Sequence, residues 1–195
     1  MTTSIVEGGL RFTFDGNWSV IKLDGHEFFE QRLMPMQLTG AADFLGLHRK
    51  PALYVIEVKD YRGSEIQLKN NEKMCEGDTL LFQVARKCKD SVACVVGAAR
   101  VLRDDFWARC VDVLRTRQSI VKVVFWLEFD LGRRGRGRSA EWMQQEMRTR
   151  ALVRADELKA RLSWLTKEVV VTNQALAAGE LPGVTVENVQ RAGHR

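Results

Sequence analysis

A short apolar segment that ends in charged residues constrains the fold of this chain more than any other part of it. Residues 53–60 read Leu-Tyr-Val-Ile-Glu-Val-Lys-Asp, and a second apolar run, residues 44–47, stands shortly before them. The five residues between the two runs, 48–52, are mostly polar and include Pro51. Two such runs around a short loop are typical of a β-hairpin. The sequence therefore predicts two antiparallel strands that lie side by side in a sheet.

The register of this hairpin brings charged residues together. Symmetric pairing about the loop places Asp43 opposite Glu57, and directly opposed residues lie about 4.5–5.5 Å apart on one face of an antiparallel pair. Lys59 follows Glu57 by two positions, so it shares that face. Two opposed carboxylates repel each other unless a positive charge neutralises them. A divalent cation is one solution, because Mg²⁺ prefers oxygen ligands from carboxylates, water and phosphate.

Asp43 followed by Glu57-Val58-Lys59 on a hydrophobic strand resembles the motif of the PD-(D/E)XK, or restriction-endonuclease-like, nuclease superfamily. The resemblance covers roughly residues 40–63, and residues 60–63, Asp-Tyr-Arg-Gly, are similar to small bacterial members. One departure is Ala42, which stands where the family has a proline. The family often carries a further glutamate on a helix before the first core strand; the candidates here are Glu7, Glu27 and Glu30.

The resemblance implies a Mg²⁺-dependent nuclease that cuts DNA, most directly as an endonuclease, with RNA as the alternative substrate and Mn²⁺ as a substitute metal. Asp43 and Glu57 would hold the metal together with the backbone carbonyl of Val58, and Lys59 would position and help deprotonate the attacking water. Related nucleases often project a polar side chain from the first long helix toward the site. Gln83 and Lys87 lie four residues apart and are the candidates, with an exposed polar flank as the alternative.

Small nucleases of this kind often serve bacterial restriction or antiphage systems. The resemblance therefore also implies a separate ATPase or specificity subunit as a partner, and a homodimer that cuts both strands. The sequence contains no G-x-x-x-x-G-K-[ST] motif, so any ATP dependence would come from another subunit.

Other interpretations of the motif stay open. A Glu-x-Lys triplet is common by chance, and Glu157-Leu158-Lys159 is a second example, placed in a helical pattern. Glu57 and Lys59 could form an ordinary surface salt bridge. The chain could also be a catalytically idle nuclease-fold subunit that binds DNA or a partner protein, or a small α/β interaction protein without nucleic-acid contacts.

The positive charge of the chain is concentrated in one region. The whole chain carries a net charge of +5, and residues 132–161 alone hold nine basic and four acidic residues. The densest part is a glycine-rich stretch with four arginines. Arginine forks bind phosphate oxygens bidentately, so this stretch predicts contacts with a nucleic-acid backbone, whereas a solvated loop is the alternative. The four candidates are Arg133, Arg134, Arg136 and Arg138.

Several classes of protein are disfavoured. No apolar run approaches the length of a transmembrane helix, and the N-terminus lacks the features of a secretory signal, so we expect a cytoplasmic protein with no membrane partner. The cysteines and histidines show no paired spacing suited to zinc. They are Cys75, Cys88, Cys94 and Cys110, and His26, His48 and His194.

The remaining pattern predicts an α/β fold with a mixed central sheet flanked by helices, a restriction-endonuclease-like core preceded by an N-terminal β-hairpin. We expect one domain over residues 1–195, with a hairpin extension (1–40), a core (41–172) and a C-terminal tail (173–195). The predicted elements are a hairpin of residues 10–14 with 18–23, helices over 78–102, 104–117 and 139–165, and strands over 120–129 and 169–171.

Overall fold

A computed structural model of the chain describes residues 1–62, 78–128, 140–177 and 179–189. In these ranges the chain forms two β-sheets and three α-helices, with a short π-helical turn at Phe29–Leu33. The strands are β1 (Thr3–Glu7), β2 (Leu10–Phe14), β3 (Trp18–Lys22), β4 (Phe44–His48), β5 (Ala52–Asp60), β6 (Ile120–Glu128), β7 (Glu168–Thr172) and β8 (Val184–Asn188). The helices are α1 (Asp78–Val101), α2 (Asp105–Arg115) and α3 (Ala140–Arg161).

The larger sheet has five strands in the order β3-β4-β5-β6-β7. The pairs β3–β4 and β4–β5 are antiparallel, whereas β5–β6 and β6–β7 are parallel. The predicted α/β class with a mixed sheet is therefore confirmed, and the predicted helices and strands of its second half are present. Strands β5 and β6 occupy the middle of the sheet, which explains why both are apolar on their two faces.

The predicted register of the β4–β5 hairpin is confirmed. Leu45 pairs with Val55 and Leu47 pairs with Leu53. Asp43 immediately precedes β4, so the pairing leads directly toward Glu57.

The two faces of the five-stranded sheet are covered by different elements. Alternate residues of β5, such as Leu53 and Val55, belong to a core cluster shared with the three helices. The intervening residues, such as Tyr54 and Ile56, pack in a second cluster against the small sheet β1-β2-β8. Full burial of one such large apolar side chain contributes about 1.5–3 kcal/mol. Glu57 and Lys59 continue the helix-facing alternation, so they lie at the helical side of the sheet.

The predicted hairpin of residues 10–14 with 18–23 is wrong. Strand β2 pairs with β1 and β8 in the small sheet, whereas β3 pairs with β4 in the large one. Residues 15–17 do form a turn, but it carries the chain from one sheet to the other. Phe14 and Trp18 flank this turn and pack with ring centroids 5.4 Å apart in the core between the sheets. Burial of these aromatic rings outweighs the local preference for a hairpin.

Two further features concern the ends and the helices. Strand β8 lies within the stretch expected as a C-terminal tail and pairs with β2 along its whole length. Cys88, Cys94 and Cys110 are buried on the helices and form no disulfide among the described residues. In the described ranges, no helix combines the length and the apolar character needed to cross a lipid bilayer.

Candidate active site

Strand β5 and helix α1 hold Asp43 and the residue before it in place at the start of β4. Its Oδ2 accepts a hydrogen bond of 2.6 Å from the backbone N–H of Val58, and its side chain is almost fully buried. Helix α1 fixes the preceding residues, because the Ser91 hydroxyl accepts the N–H of Ala42 at 2.9 Å and donates to the carbonyl of Lys87 at 2.7 Å. One buried hydroxyl therefore ties the segment before Asp43 to the helical turn that carries Lys87.

Glu57 is completely buried and is contacted by two ammonium groups. Its Oε1 lies 2.5 Å from Lys59 Nζ and 2.8 Å from Lys87 Nζ, and Lys87 also donates to Oε2 at 3.0 Å. Lys87 Nζ lies 3.7 Å from Asp43 Oδ1. The structure thus brings Asp43, Glu57, Lys59 and Lys87 together near the C-terminal end of β5, on the helical side of the sheet. Gln83, the other helical candidate, is exposed.

A second group of carboxylates surrounds Asp43. Carboxylate oxygens of Glu7, Asp24 and Asp43 all lie within 4.8 Å of one another. Lys22 Nζ contacts Glu7 at 2.8 Å, whereas Asp24 Oδ1 is buried and has no hydrogen-bond partner among the described residues. Asp43 is therefore the residue that links this acid cluster (Glu7, Asp24 and Asp43) to the lysine pair (Lys59 and Lys87) on Glu57.

The sequence predicted only some of the residues in the acid cluster and the lysine pair. Of its three candidate accessory glutamates, Glu7 lies beside Asp43 and projects from a strand rather than a helix, whereas Glu27 contacts Gln31 and Glu30 is exposed. Asp24 is absent from the candidates predicted from the sequence, because Asp24-Gly25 is typical of an ordinary turn at the end of a strand. The β3–β4 register could have revealed it, since Lys22 pairs with Phe44 and the chain continues past that pair toward Asp43.

Other predicted site residues lie elsewhere or are not described. Val58 uses its N–H to hold Asp43, and its carbonyl as a metal ligand stays a prediction. Asp60 points to the face of β5 opposite Glu57 and Lys59, as alternation along a strand requires, and there it accepts a hydrogen bond from the Gly9 N–H. The arginines of the glycine-rich stretch, Arg133, Arg134, Arg136 and Arg138, lie outside the described residues.

Burial dominates the electrostatics of the carboxylates. It raises the pKa of Asp24, Asp43 and Glu57 above their ordinary values, and the neighbouring charge of Asp43 raises the pKa of Asp24 and Glu57 further. The ammonium groups of Lys59 and Lys87 act in the opposite direction on Asp43 and Glu57 without cancelling the effect of burial. For Lys59, burial alone would lower the pKa, but the carboxylate of Glu57 raises it overall. Lys59 is therefore protonated at neutral pH.

Comparison with known proteins gives no match: no protein-family model, no curated protein and no solved structure is significantly similar to this chain. The superfamily resemblance therefore rests on the motif residues themselves.

The substitution Asp24→Asn is expected to stabilise the metal-free protein in neutral buffer, by up to about 1 kcal/mol, a modest figure because the side chain is only half-buried. The folded-state pKa of Asp24 is raised, so its charge costs stability above the ordinary aspartate pKa and costs nothing below it. The gain should therefore disappear as the pH falls. Thermal unfolding of both proteins in neutral and acidic buffer measures it, and a variant less stable than the wild type at neutral pH would contradict it.

Proposed function

We propose that this protein is a Mg²⁺-dependent nuclease that hydrolyses phosphodiester bonds, with DNA as the substrate and RNA as the alternative. One observation carries the proposal. Asp43, Glu57 and Lys59 lie together near the C-terminal end of β5, and two further carboxylates lie beside Asp43. The β4–β5 register brings the Asp43 position beside Glu57 and Lys59, so the grouping of these three residues is a property of the sheet rather than of one flexible side chain.

The donor set suits a hard divalent cation. Glu7, Asp24 and Asp43 offer carboxylate oxygens within 4.8 Å of one another, and such oxygens are the ligands that Mg²⁺ prefers. The buried Oδ1 of Asp24, which has no hydrogen-bond partner in the described part of the chain, is an oxygen that a cation would satisfy. Asp43 belongs both to this set and to the set predicted from the motif, Asp43 with Glu57 and the Val58 carbonyl. When bound, Mg²⁺ would offset negative charge that develops on the scissile phosphate.

The protonated Lys59 acts as a hydrogen-bond donor in this proposal. Because its pKa is raised, it holds the attacking water or a phosphate oxygen in place and does not itself accept the proton. A bound Mg²⁺ would lower the pKa of the attacking water, so that the proton can leave to solvent. Glu57 keeps Lys59 in position by contacting its ammonium group at 2.5 Å.

Arginine side chains would hold the nucleic acid in this proposal. The arginines at positions 133, 134, 136 and 138 would bind backbone phosphates with little sequence readout. A separate ATPase or specificity subunit, and dimerisation to cut both strands, are parts of the same proposal.

A catalytically idle subunit is the second candidate, and one observation favours it. Glu57 accepts hydrogen bonds from Lys87, which also lies 3.7 Å from Asp43, so these charges neutralise each other without a metal. An idle subunit would gain no thermal stability from Mg²⁺ or Mn²⁺, whereas a metal-binding site gains stability by linkage. The idle subunit would still bind DNA, with an affinity that falls steeply as salt increases.

The proposal is tested by incubating the pure protein with supercoiled plasmid and with structured RNA, in Mg²⁺ and in EDTA. We expect cleavage that requires Mg²⁺ and is lost in Lys59→Ala but kept in Lys167→Ala, an exposed lysine far along the chain. Equal cleavage by Lys59→Ala and the wild type would contradict the proposed active site, because the reaction would not need Lys59. No cleavage of either substrate, with host partner proteins added, would leave the idle subunit as the better description.

A further inference from the structure

The turn between β1 and β2 is fixed against the end of β5 by one carboxylate. The backbone N–H of Gly9 donates to Asp60 Oδ2 at 2.9 Å, and the Asp60 side chain is only 2% exposed. Gly8 has φ of +60°, and a Cβ at this position would lie 3.1 Å from Asp60 Cβ. The turn therefore needs glycine both for its backbone conformation and for its close approach to Asp60.

Arg62 extends this contact to a third segment of the chain. Its Nε donates to Asp60 Oδ1 at 2.7 Å and its Nη2 donates to Oδ2 at 3.0 Å, which is the strong two-pronged geometry of a guanidinium with a carboxylate. Its Nη1 donates to the side chain of Asn188, the last residue of β8. Asp60 thus connects the end of β5 with all three strands of the small sheet through the β1–β2 turn and β8.

Gly9, which donates its N–H to Asp60, lies two residues after Glu7, a member of the acid cluster. Glu7 is the last residue of β1 and pairs with Leu10 across the Gly8-Gly9 turn. Its carboxylate is near Asp24 and Asp43, which belong to the other sheet or its loops. The hydrogen bond from the Gly9 N–H to Asp60 fixes this turn to the strand that carries Glu57 and Lys59.

We propose that Asp60 is a positioning residue that sets the Glu7 carboxylate in the acid cluster. The end of β5 would then contribute to the site from both of its faces. Glu57 and Lys59 project to the helical side, and Asp60, on the other side, fixes the β1–β2 turn next to Glu7. The inference rests on the proposed function, because it matters to the chemistry only if Glu7 helps to hold the divalent cation.

The test measures Mn²⁺ binding to the metal-free protein by titration calorimetry, without any nucleic acid. Partners that orient a metal ligand typically contribute about ten- to a hundredfold in metal affinity. We expect Glu7→Gln and Asp60→Ala each to weaken Mn²⁺ binding by this order. The double variant Glu7→Gln/Asp60→Ala should bind Mn²⁺ with an affinity within about twofold of that of Glu7→Gln alone, because both substitutions remove the same contribution. Amide exchange at Gly9 should accelerate in Asp60→Ala and not in Glu7→Gln.

Two further variants separate positioning from general loss of stability. Glu180→Gln removes a different half-buried ion pair, with Lys122 at 2.8 Å, and should leave Mn²⁺ affinity unchanged. Gly8→Ala disturbs the same turn from its other side and should weaken Mn²⁺ binding, so it replaces Asp60→Ala if that variant does not fold. Wild-type affinity in the folded Asp60→Ala or Gly8→Ala protein would overturn the inference, as would an equal further loss in the Glu7→Gln background.

The outcomes also distinguish this inference from the proposed function. If Asp43→Asn weakens Mn²⁺ binding but Glu7→Gln does not, the metal site stands and the role given to Asp60 fails. If the wild type binds no Mn²⁺, both fail together.

Discussion

Replacing Asp43 with asparagine is expected to lower Mg²⁺-dependent cleavage by about 10²- to 10³-fold, the range found when one electrostatic contributor at a reacting centre is removed. Asp43 is the residue shared by the acid cluster and by the lysine pair on Glu57. Asparagine keeps an oxygen that can accept the N–H of Val58, which Asp43 now accepts at 2.6 Å. The substitution therefore removes the charge and leaves the strand contact in place.

The same variant should be at least as stable as the wild type in neutral buffer without metal. Burial raises the folded-state pKa of Asp43, so its ionised form costs stability above the ordinary aspartate pKa, and this cost is lost as the pH falls below it. Asp156→Asn, at an exposed position on α3, is the matched control and should cleave at the wild-type rate. Initial cleavage rates and thermal unfolding measure the two effects. If Asp43→Asn cleaves at the wild-type rate, Asp43 has no role in the proposed reaction.

The part of the site that the sequence could predict is the part built by local pairing. The β4–β5 hairpin has a short loop, so its register follows from symmetric pairing of the two strands about that loop. That register alone places Asp43 beside β5 and puts Glu57 and Lys59 on one face. Lys87 could also be predicted as a candidate from local sequence, because helical periodicity places it at the edge of the apolar stripe of α1.

The part that the sequence could not predict depends on contacts between distant elements. Glu7 and Asp24 reach Asp43 only because the small sheet packs on the large one and β3 pairs with β4. Alternation and periodicity say which face of an element is buried, but they do not say which other element covers it. The contact of Gly9 with Asp60 spans 51 positions of the chain, and no local pattern marks either residue as a partner of the other. The same limit explains why the turn after β2 was interpreted as a hairpin.

Removing both lysines that contact Glu57 should have the largest effect on stability. In the double variant Lys59→Met/Lys87→Met, Glu57 stays fully buried and loses both ammonium groups, which lie 2.5 and 2.8 Å from its Oε1. Leaving a buried charge without its partner costs about 3–5 kcal/mol, and each kcal/mol corresponds to about 2–4 °C in Tm for a domain of this size. Each single variant should cost only about 1 kcal/mol, because the remaining ammonium still contacts Glu57 and both lysines are partly exposed.

The pH dependence and a third substitution identify the cause of this loss. Burial already raises the pKa of Glu57, and removing the lysines raises it further. The double variant should therefore match the wild type in acidic buffer, where Glu57 is protonated in the folded and unfolded states, and lose stability as the pH rises above the ordinary glutamate pKa. Adding Glu57→Leu should restore stability at neutral pH, because a buried ion pair replaced by apolar side chains is often neutral or stabilising. Urea unfolding of the single, double and triple variants measures these differences. If the triple variant stays as unstable as the double one, the loss of stability does not come from an unneutralised charge on Glu57.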